Sequence, residues 1–157
     1  MVEDNTLPSY MNTGADMVND NEDELRAAFT AYDTAWQNLD VEAILGYYHY
    51  PCMLLTSVGV LVKNSAEQLR PFIAGIVNDM KSANYSDSNI AEVSCKQLSN
   101  NLALVSMHAV RFDGSGKQIG EGVTTYTFTR ADGQWKIAVL APHDVATMPR
   151  YQSINPI

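Results

Sequence analysis

From Asn84 onward the chain carries four β-type runs joined by very short links, and no other feature constrains the fold as much. The runs are Ile90–Gln97, Leu102–Asp113, Gly120–Thr129 and Trp135–Leu140. Ser99-Asn100-Asn101, Asp113-Gly114-Ser115-Gly116 and Ala131-Asp132-Gly133 join them, and each link carries turn residues. Strands joined this tightly must be antiparallel neighbours, so the second half of the chain is a meander.

The first half reads as helical. Asn21 with Glu24 three residues on forms a capping-box pattern, and Glu22, Asp23 and Glu24 sit at the positive end of the helix dipole. Leu25, Phe29, Tyr32, Trp36 and Leu39 then recur at helical spacing, which predicts an amphipathic helix to about Asn38. Asp40 caps a short second helix from Val41 to about Tyr48, with His49 at its C-terminal end. Pro51 and the residue before it force an extended chain. Cys52 to Thr56 and Val58 to Val62, around Ser57 and Gly59, suggest a hairpin. Ser65-Ala66-Glu67-Gln68 is a further capping box, opening a third helix to about Met80 that Pro71 should kink or restart. Helices first and a meander afterwards make an α+β domain, with the helices gathered on one face of a curved antiparallel sheet.

Composition limits the function classes. The chain has 157 residues, 46% of them hydrophobic, enough for one domain with a real core. No run is long and apolar enough to span a bilayer. The formal net charge is −8, and the first 24 residues hold seven acids and no base, so residues 25–157 are close to neutral. An acidic leader and a near-neutral body argue against a nucleic-acid surface or a polybasic membrane patch. Residues 1–20 are read as an acidic, mobile tail, residues 21–145 as the domain, and 146–157 as a C-terminal tail. The start shows no basic region followed by an apolar stretch, so no secretory signal is read and a cytoplasmic location is expected. Cys52 and Cys95 lie in strand-like runs and are expected as reduced, buried core thiols. No His, Cys or Asp spacing suits a metal, no Gly-rich loop precedes a helix, and no G-x-S-x-G elbow occurs.

Three stretches resemble the nuclear transport factor 2-like (NTF2-like) superfamily, which includes SnoaL-like cyclases, ketosteroid isomerases and kinase association domains. They are Tyr32-x-x-x-Trp36-x-x-x-Asp40 followed by Val41-Glu42-Ala43-Ile44, the hairpin followed by Ser65-Ala66-Glu67-Gln68-Leu69, and Tyr126-Thr127-Phe128-Thr129-Arg130-Ala131-Asp132-Gly133-Gln134-Trp135-Lys136-Ile137. The resemblance spans about residues 22–145. It implies a cone of three N-terminal helices on a strongly curved sheet, an apolar pocket at the open end, and a homodimer through the outer sheet face.

The isomerases of that superfamily place a Tyr on helix one, a carboxylate base on the hairpin and a carboxylic acid on the third meander strand. Tyr32 matches the first, but the other two positions fall on or beside Thr56 and near Thr125, so both carboxylates are missing. What the resemblance then implies is a SnoaL-like, cofactor-independent isomerase, cyclase or dehydratase. It would act by proton transfer on an apolar, carbonyl-bearing metabolite. The alternative is a non-catalytic binding protein for a hydrophobic small molecule. The candidate catalytic residues are Tyr32 as hydrogen-bond donor and His108 or His143 as proton carrier. Trp36, Met53, Thr56, Phe72, Ile76, Met107 and Tyr126 are the candidate ligand-binding residues; no cofactor and no metal is expected.

Several of these residues have plainer readings. Tyr32 and Trp36 could be core alone, Asp33 a solvated neighbour of Tyr32, and His143 beside Asp144 a solvated loop end. Strand alternation sets Ser106, His108 and Val110 on one face and Met107, Ala109 and Arg111 on the other. Periodicity does not say which face is inside, although comparison with the kinase association domains puts Met107 and Arg111 there. For Arg111 and Lys136, salt bridges to Asp113 or Glu121 are the simpler expectation than contact with an anionic ligand.

Overall fold

The computed structural model describes residues 15–151. Residues 1–14 and 152–157, assigned above to the tails, lie outside the described residues. Helix α1 spans Ala15–Gln37, α2 Val41–Leu45 and α3 Ala66–Ser82. The strands are β1 (Tyr48–Thr56), β2 (Gly59–Lys63), β3 (Tyr85–Ser99), β4 (Leu102–Asp113), β5 (Gln118–Ala131) and β6 (Gln134–His143), followed by a 3-10 turn at Val145–Thr147.

Helix α1 starts earlier than expected, so Asn21 and the expected domain boundary fall inside it. No Pro or Gly interrupts residues 15–37, and adding residues to a nucleated helix is inexpensive, so a residue able to cap is read through. The helix stops in a Schellman arrangement. Leu39 turns left-handed at φ 53°, Leu39 N–H donates to Trp36 O at 3.0 Å, and Asp40 N–H donates to Ala35 O at 3.1 Å. A left-handed leucine costs about 1–2 kcal/mol, which the packing of its side chain against the core offsets. Asp40 then caps α2 as expected, its carboxylate accepting from Ala43 N–H at 3.0 Å.

Helix α2 ends at Leu45 rather than Tyr48 because the sheet claims the chain. Tyr47 O accepts from Ile137 N–H at 2.9 Å, and Tyr48 pairs with Ile137. His49 therefore stands in β1, not at a helix end. Helix α3 runs unbroken through Pro71, correcting the expected kink. Pro71 and Glu67, whose carbonyl loses its partner, both lie on the exposed face, where water can replace the lost bond.

The six strands form one sheet in the order β2-β1-β6-β5-β4-β3. Neighbours are antiparallel except β1 and β6, which run parallel, so the sheet is mixed rather than wholly antiparallel. The turn rule fixes direction only for strands joined by short links, and β1 and β6 are joined by most of the domain. Strand β3 begins five residues before the expected Ile90 because Tyr85 and Asp87 pair with Asp113 and Phe112, overriding the weak β-propensity of a polar stretch. The Asp132-Gly133 turn has φ 51° and 73°, the left-handed pair that a tight two-residue hairpin needs.

Helices cover the inner sheet face, where Ala103, Val105, Tyr126, Phe128, Ile137 and Leu140 join Leu25, Phe29, Ile44, Leu69 and Ile73 in one core. The outer face is partly covered by the chain itself. Ser106 is fully buried there, and its hydroxyl meets Thr125 at 2.7 Å and Tyr151 at 3.0 Å. Tyr151 N–H donates to Ser94 at 2.9 Å, Arg150 pairs with Glu92, and Met148 is buried. Residues 146–151, expected as tail, are thus part of the packed domain, because a buried Ser hydroxyl requires partners and the returning chain supplies one.

Candidate functional site: a cavity between helices and sheet

A cavity of about 310 Å³ opens between α1, α3 and the inner face of β4, β5 and β6. Cross-strand pairing builds its sheet wall in rows, since directly paired residues point to the same side. Met107, Thr124 and Pro142 form one row; Ala109 and Gly122 the next; Ser88, Arg111 and Gly120 the third. Of these only Gly120 is not among the lining residues. Tyr32, Asp33 and Trp36 line the cavity from α1, and Phe72, Ile76 and Met80 from α3. The wall is therefore largely apolar, with a few polar groups placed on it, as small-molecule sites generally are.

The structure gathers part of the expected set. Tyr32, Trp36, Phe72, Ile76, Met107 and Tyr126 all line the cavity. Met53 does not: it stands 41% exposed on the outer side of the β1–β2 hairpin, paired with Val62. Thr56 lies at the hairpin tip, where its hydroxyl donates to Gly59 O at 3.1 Å. His108 is on the outer face with Ser106, its Nε2 3.1 Å from a Glu121 carboxylate oxygen. Alternation leaves no other place for it once Met107 and Arg111 face inward. His143 touches the cavity rim, but both ring nitrogens are engaged on the other side, Nε2 with Thr125 at 2.8 Å and Nδ1 with Thr147 at 3.1 Å. No histidine is thus presented to the cavity as a proton carrier.

Tyr32 edges the cavity with its ring, while its hydroxyl meets that of Tyr48 at 2.9 Å. Its ring sits edge-on to Trp36, Tyr47, Tyr48 and Tyr126, and burial pushes its phenol well above the usual range. Tyr126 is a second phenol on the cavity wall. It lies on the inner face beside Thr124 and Tyr32, and burial first, then the neighbouring Tyr32, keep it protonated.

Asp33 is the group that sequence reasoning set aside. It lines the cavity half-buried, its Oδ2 accepting from the Gln37 amide at 2.7 Å. Burial raises its carboxyl above the ordinary aspartate range; the Gln37 hydrogen bond pulls it back, and the charge of Asp87 pushes it up further. The signal was present in the sequence: a cavity beside an apolar stripe is bordered by the residues flanking that stripe.

Arg111 is the other charged group of the cavity. Among the described residues it makes no ion pair and no hydrogen bond. Neither expected partner is available. Asp113 accepts from Ser115 N–H, Ser115 Oγ and Lys117 N–H at 2.9, 2.6 and 3.0 Å, and Glu121 faces His108. Lys136 donates to Gly46 O instead of forming the expected salt bridge. Both cysteines are free, with thiols pushed up by burial, which suits core side chains and not nucleophiles. Among the described residues no cluster of His, Cys, Asp and Glu could hold a metal ion, and no helix is long and apolar enough to cross a membrane.

Three helices on a six-stranded sheet with a cavity between them define an NTF2-like, or cystatin-like, α+β fold. The chain belongs to the family described as NTF2-like protein (DUF6841), which residues 22–145 match. Among solved structures it is similar to an NTF2-like protein of unknown function from Pseudomonas putida KT2440, with TM-score 0.63 and 16% identity over 88% of this chain and 98% of that one. A proposed dehydratase of the NTF2-like family from Streptomyces avermitilis gives TM-score 0.62 and 18% identity, covering 80% of this chain and 96% of that one. A proposed calcium/calmodulin-dependent protein kinase II association domain from Xanthomonas campestris gives 0.58 and 19%, covering 76% and 84%. At such identities these likenesses speak for the fold alone. No curated protein matches the sequence.

Proposed function

We propose that the protein is a cofactor-independent enzyme of the SnoaL-like kind, acting by proton transfer on an apolar, carbonyl-bearing metabolite. The observation that carries the reading is Asp33, a half-buried carboxyl with a raised pKa on the wall of a mostly apolar cavity that also holds the Tyr126 phenol. A carboxylate shifted toward neutrality is a better general base than a fully solvated one. Asp33 takes a proton from the carbon beside the carbonyl. The C–H electron pair becomes the C=C bond of an enolate, and the carbonyl π pair moves onto oxygen, where the Tyr126 O–H donates a hydrogen bond. The proton on Asp33 then passes to one of three acceptors. A γ-carbon gives an isomer, a departing β-hydroxyl gives water and an enone, and the alkoxide of a ring-closing addition gives a cyclised alcohol. No redox equivalent is consumed. Asp33 thereby takes the role assigned above to His108 or His143, and Tyr126 that of Tyr32.

The proposed assembly is a homodimer through the outer sheet face. Met53, Leu55, Val60 and Val62 form an exposed apolar row there, paired Met53 with Val62 and Leu55 with Val60. The free thiols of Cys52 and Cys95 suit the cytoplasmic setting proposed with it.

Turnover of a β-hydroxy aryl ketone, followed by the absorbance of the conjugated enone, tests the enzyme reading. Asp33→Asn should lose about 10²–10⁴-fold in rate. An unchanged rate removes Asp33 from the chemistry. Binding of the ketone with no turnover by the unmodified protein leaves the non-catalytic alternative.

A further inference from the structure

The third row of the cavity's sheet wall has an unusual composition. Arg111 sits between Ser88 on β3 and Gly120 on β5, and the neighbouring row ends in Gly122 opposite Ala109. A glycine in a strand interior marks a bulge, a tight bend or a place that something approaches closely, and here the β4–β5 register shifts between Arg111 and Phe112. A Cβ built on Gly120 or Gly122 meets no atom within 4 Å, so both positions face open space. The guanidinium borders this space with no hydrogen bond or ion pair among the described residues, and no ion pair joins it to Asp33. Its charge is felt instead by the phenols of Tyr85 and Tyr126.

We propose that Arg111, with the side-chain-free backbone of Gly122, is a carboxylate-recognition site, and that the ligand of this cavity is an amphipathic carboxylate whose apolar body lies against Trp36, Phe72, Ile76 and Met107. A guanidinium that faces the cavity without a protein partner keeps its fork open, and its planar donors match one carboxylate in bidentate fashion. A phosphate dianion suits the site less well. A single guanidinium would leave part of its charge uncompensated in a cavity that already holds the Asp33 carboxyl. The inference deepens the proton-transfer reading by naming the substrate class, and it rests on that reading only for the cavity being the working site. Arg111 fixes the acid group, which leaves the carbonyl end of the same molecule for Asp33 and Tyr126.

Isothermal titration of the full chain with β-naphthoate and with its neutral isostere β-naphthamide tests this. The unmodified protein should bind the naphthoate about 10–100-fold more tightly than the amide, the range expected of a charge-assisted hydrogen-bonded pair. Arg111→Gln should abolish that preference while leaving amide binding within a few-fold. Gly122→Val suits a strand and meets open space, so it should fold normally by circular dichroism yet lose both ligands. Equal affinity of the unmodified protein for both probes overturns the proposal, as does a preference that survives Arg111→Gln. Asp33→Asn separates the two readings. It should keep the naphthoate preference whether or not it transfers protons, so loss of catalysis and loss of carboxylate recognition are read independently.

Discussion

Removing the Tyr32 hydroxyl alone should cost more than removing it together with that of Tyr48. The two oxygens are 2.9 Å apart and buried, and Tyr32 is the hydrogen-bond partner of Tyr48, whereas Tyr32 also reaches Tyr126. Tyr32→Phe leaves the Tyr48 hydroxyl buried and unpaired, whereas Tyr48→Phe leaves Tyr32 with Tyr126. Tyr32→Phe should destabilise by about 1–3 kcal/mol, the desolvation penalty of an orphaned polar group, and Tyr48→Phe by about 1 kcal/mol or less. The double variant removes the orphan at Tyr48 and should cost about 1 kcal/mol or less, giving a coupling energy of about 1–3 kcal/mol. For a chain of 157 residues each kcal/mol corresponds to about 2–4 °C in Tm. Urea unfolding followed by tryptophan fluorescence measures the cycle, with Trp36 and Trp135 as reporters. Additive losses would refute the reasoning, since they would mean that the Tyr48 hydroxyl has a partner other than Tyr32. Proton transfer should survive Tyr32→Phe, because Tyr126 and not Tyr32 donates to the developing oxyanion in the proposed reaction.

Two further outcomes follow from the same structure. Sedimentation should find the unmodified protein as a dimer, and Val60→Asp with Val62→Asp, on the exposed apolar row, should give monomers; a monomeric unmodified protein would remove the outer face as the interface. The rate of proton transfer should fall as pH drops through the Asp33 carboxyl. Because burial raises that carboxyl, the acid limb should lie above the ordinary aspartate value, and a limb at or below it would show Asp33 to be solvated.

The sequence made the fold legible wherever local chemistry decides. The Asp40 and Ser65 caps, the Asp132-Gly133 turn and the stripe Leu25, Phe29, Tyr32 and Trp36 all act over a few residues. The parallel pairing of β1 with β6 was not legible, because it depends on contacts between the two halves of the chain and no turn signals it. Nor was the early start of β3, where Asp113 and Phe112 hold a polar stretch in the ladder. The site was half legible. Its apolar wall follows from helix periodicity, but β4 carries polar and apolar residues on both faces, so periodicity leaves its orientation open; the resemblance to kinase association domains points Arg111 inward, where the folded sheet places it, with His108 outward. Asp33 escaped because a stripe drawn through the most buried positions omits its flank, where this cavity opens. Thr56 was carried by the resemblance and Met53 was read as part of an apolar wall, and the hairpin places both away from the cavity.

Proton transfer by Asp33 is most directly measured by hydrogen–deuterium exchange at the carbon beside a carbonyl, which needs no knowledge of the natural substrate. With β-tetralone in heavy water, followed by proton NMR, the unmodified protein should accelerate loss of the α-proton signals over buffer. Asp33→Asn should reduce that acceleration by about 10²–10⁴-fold, and Tyr126→Phe by about 10²–10³-fold. Exchange at the buffer rate with the unmodified protein, or at the unmodified rate with Asp33→Asn, would contradict the account.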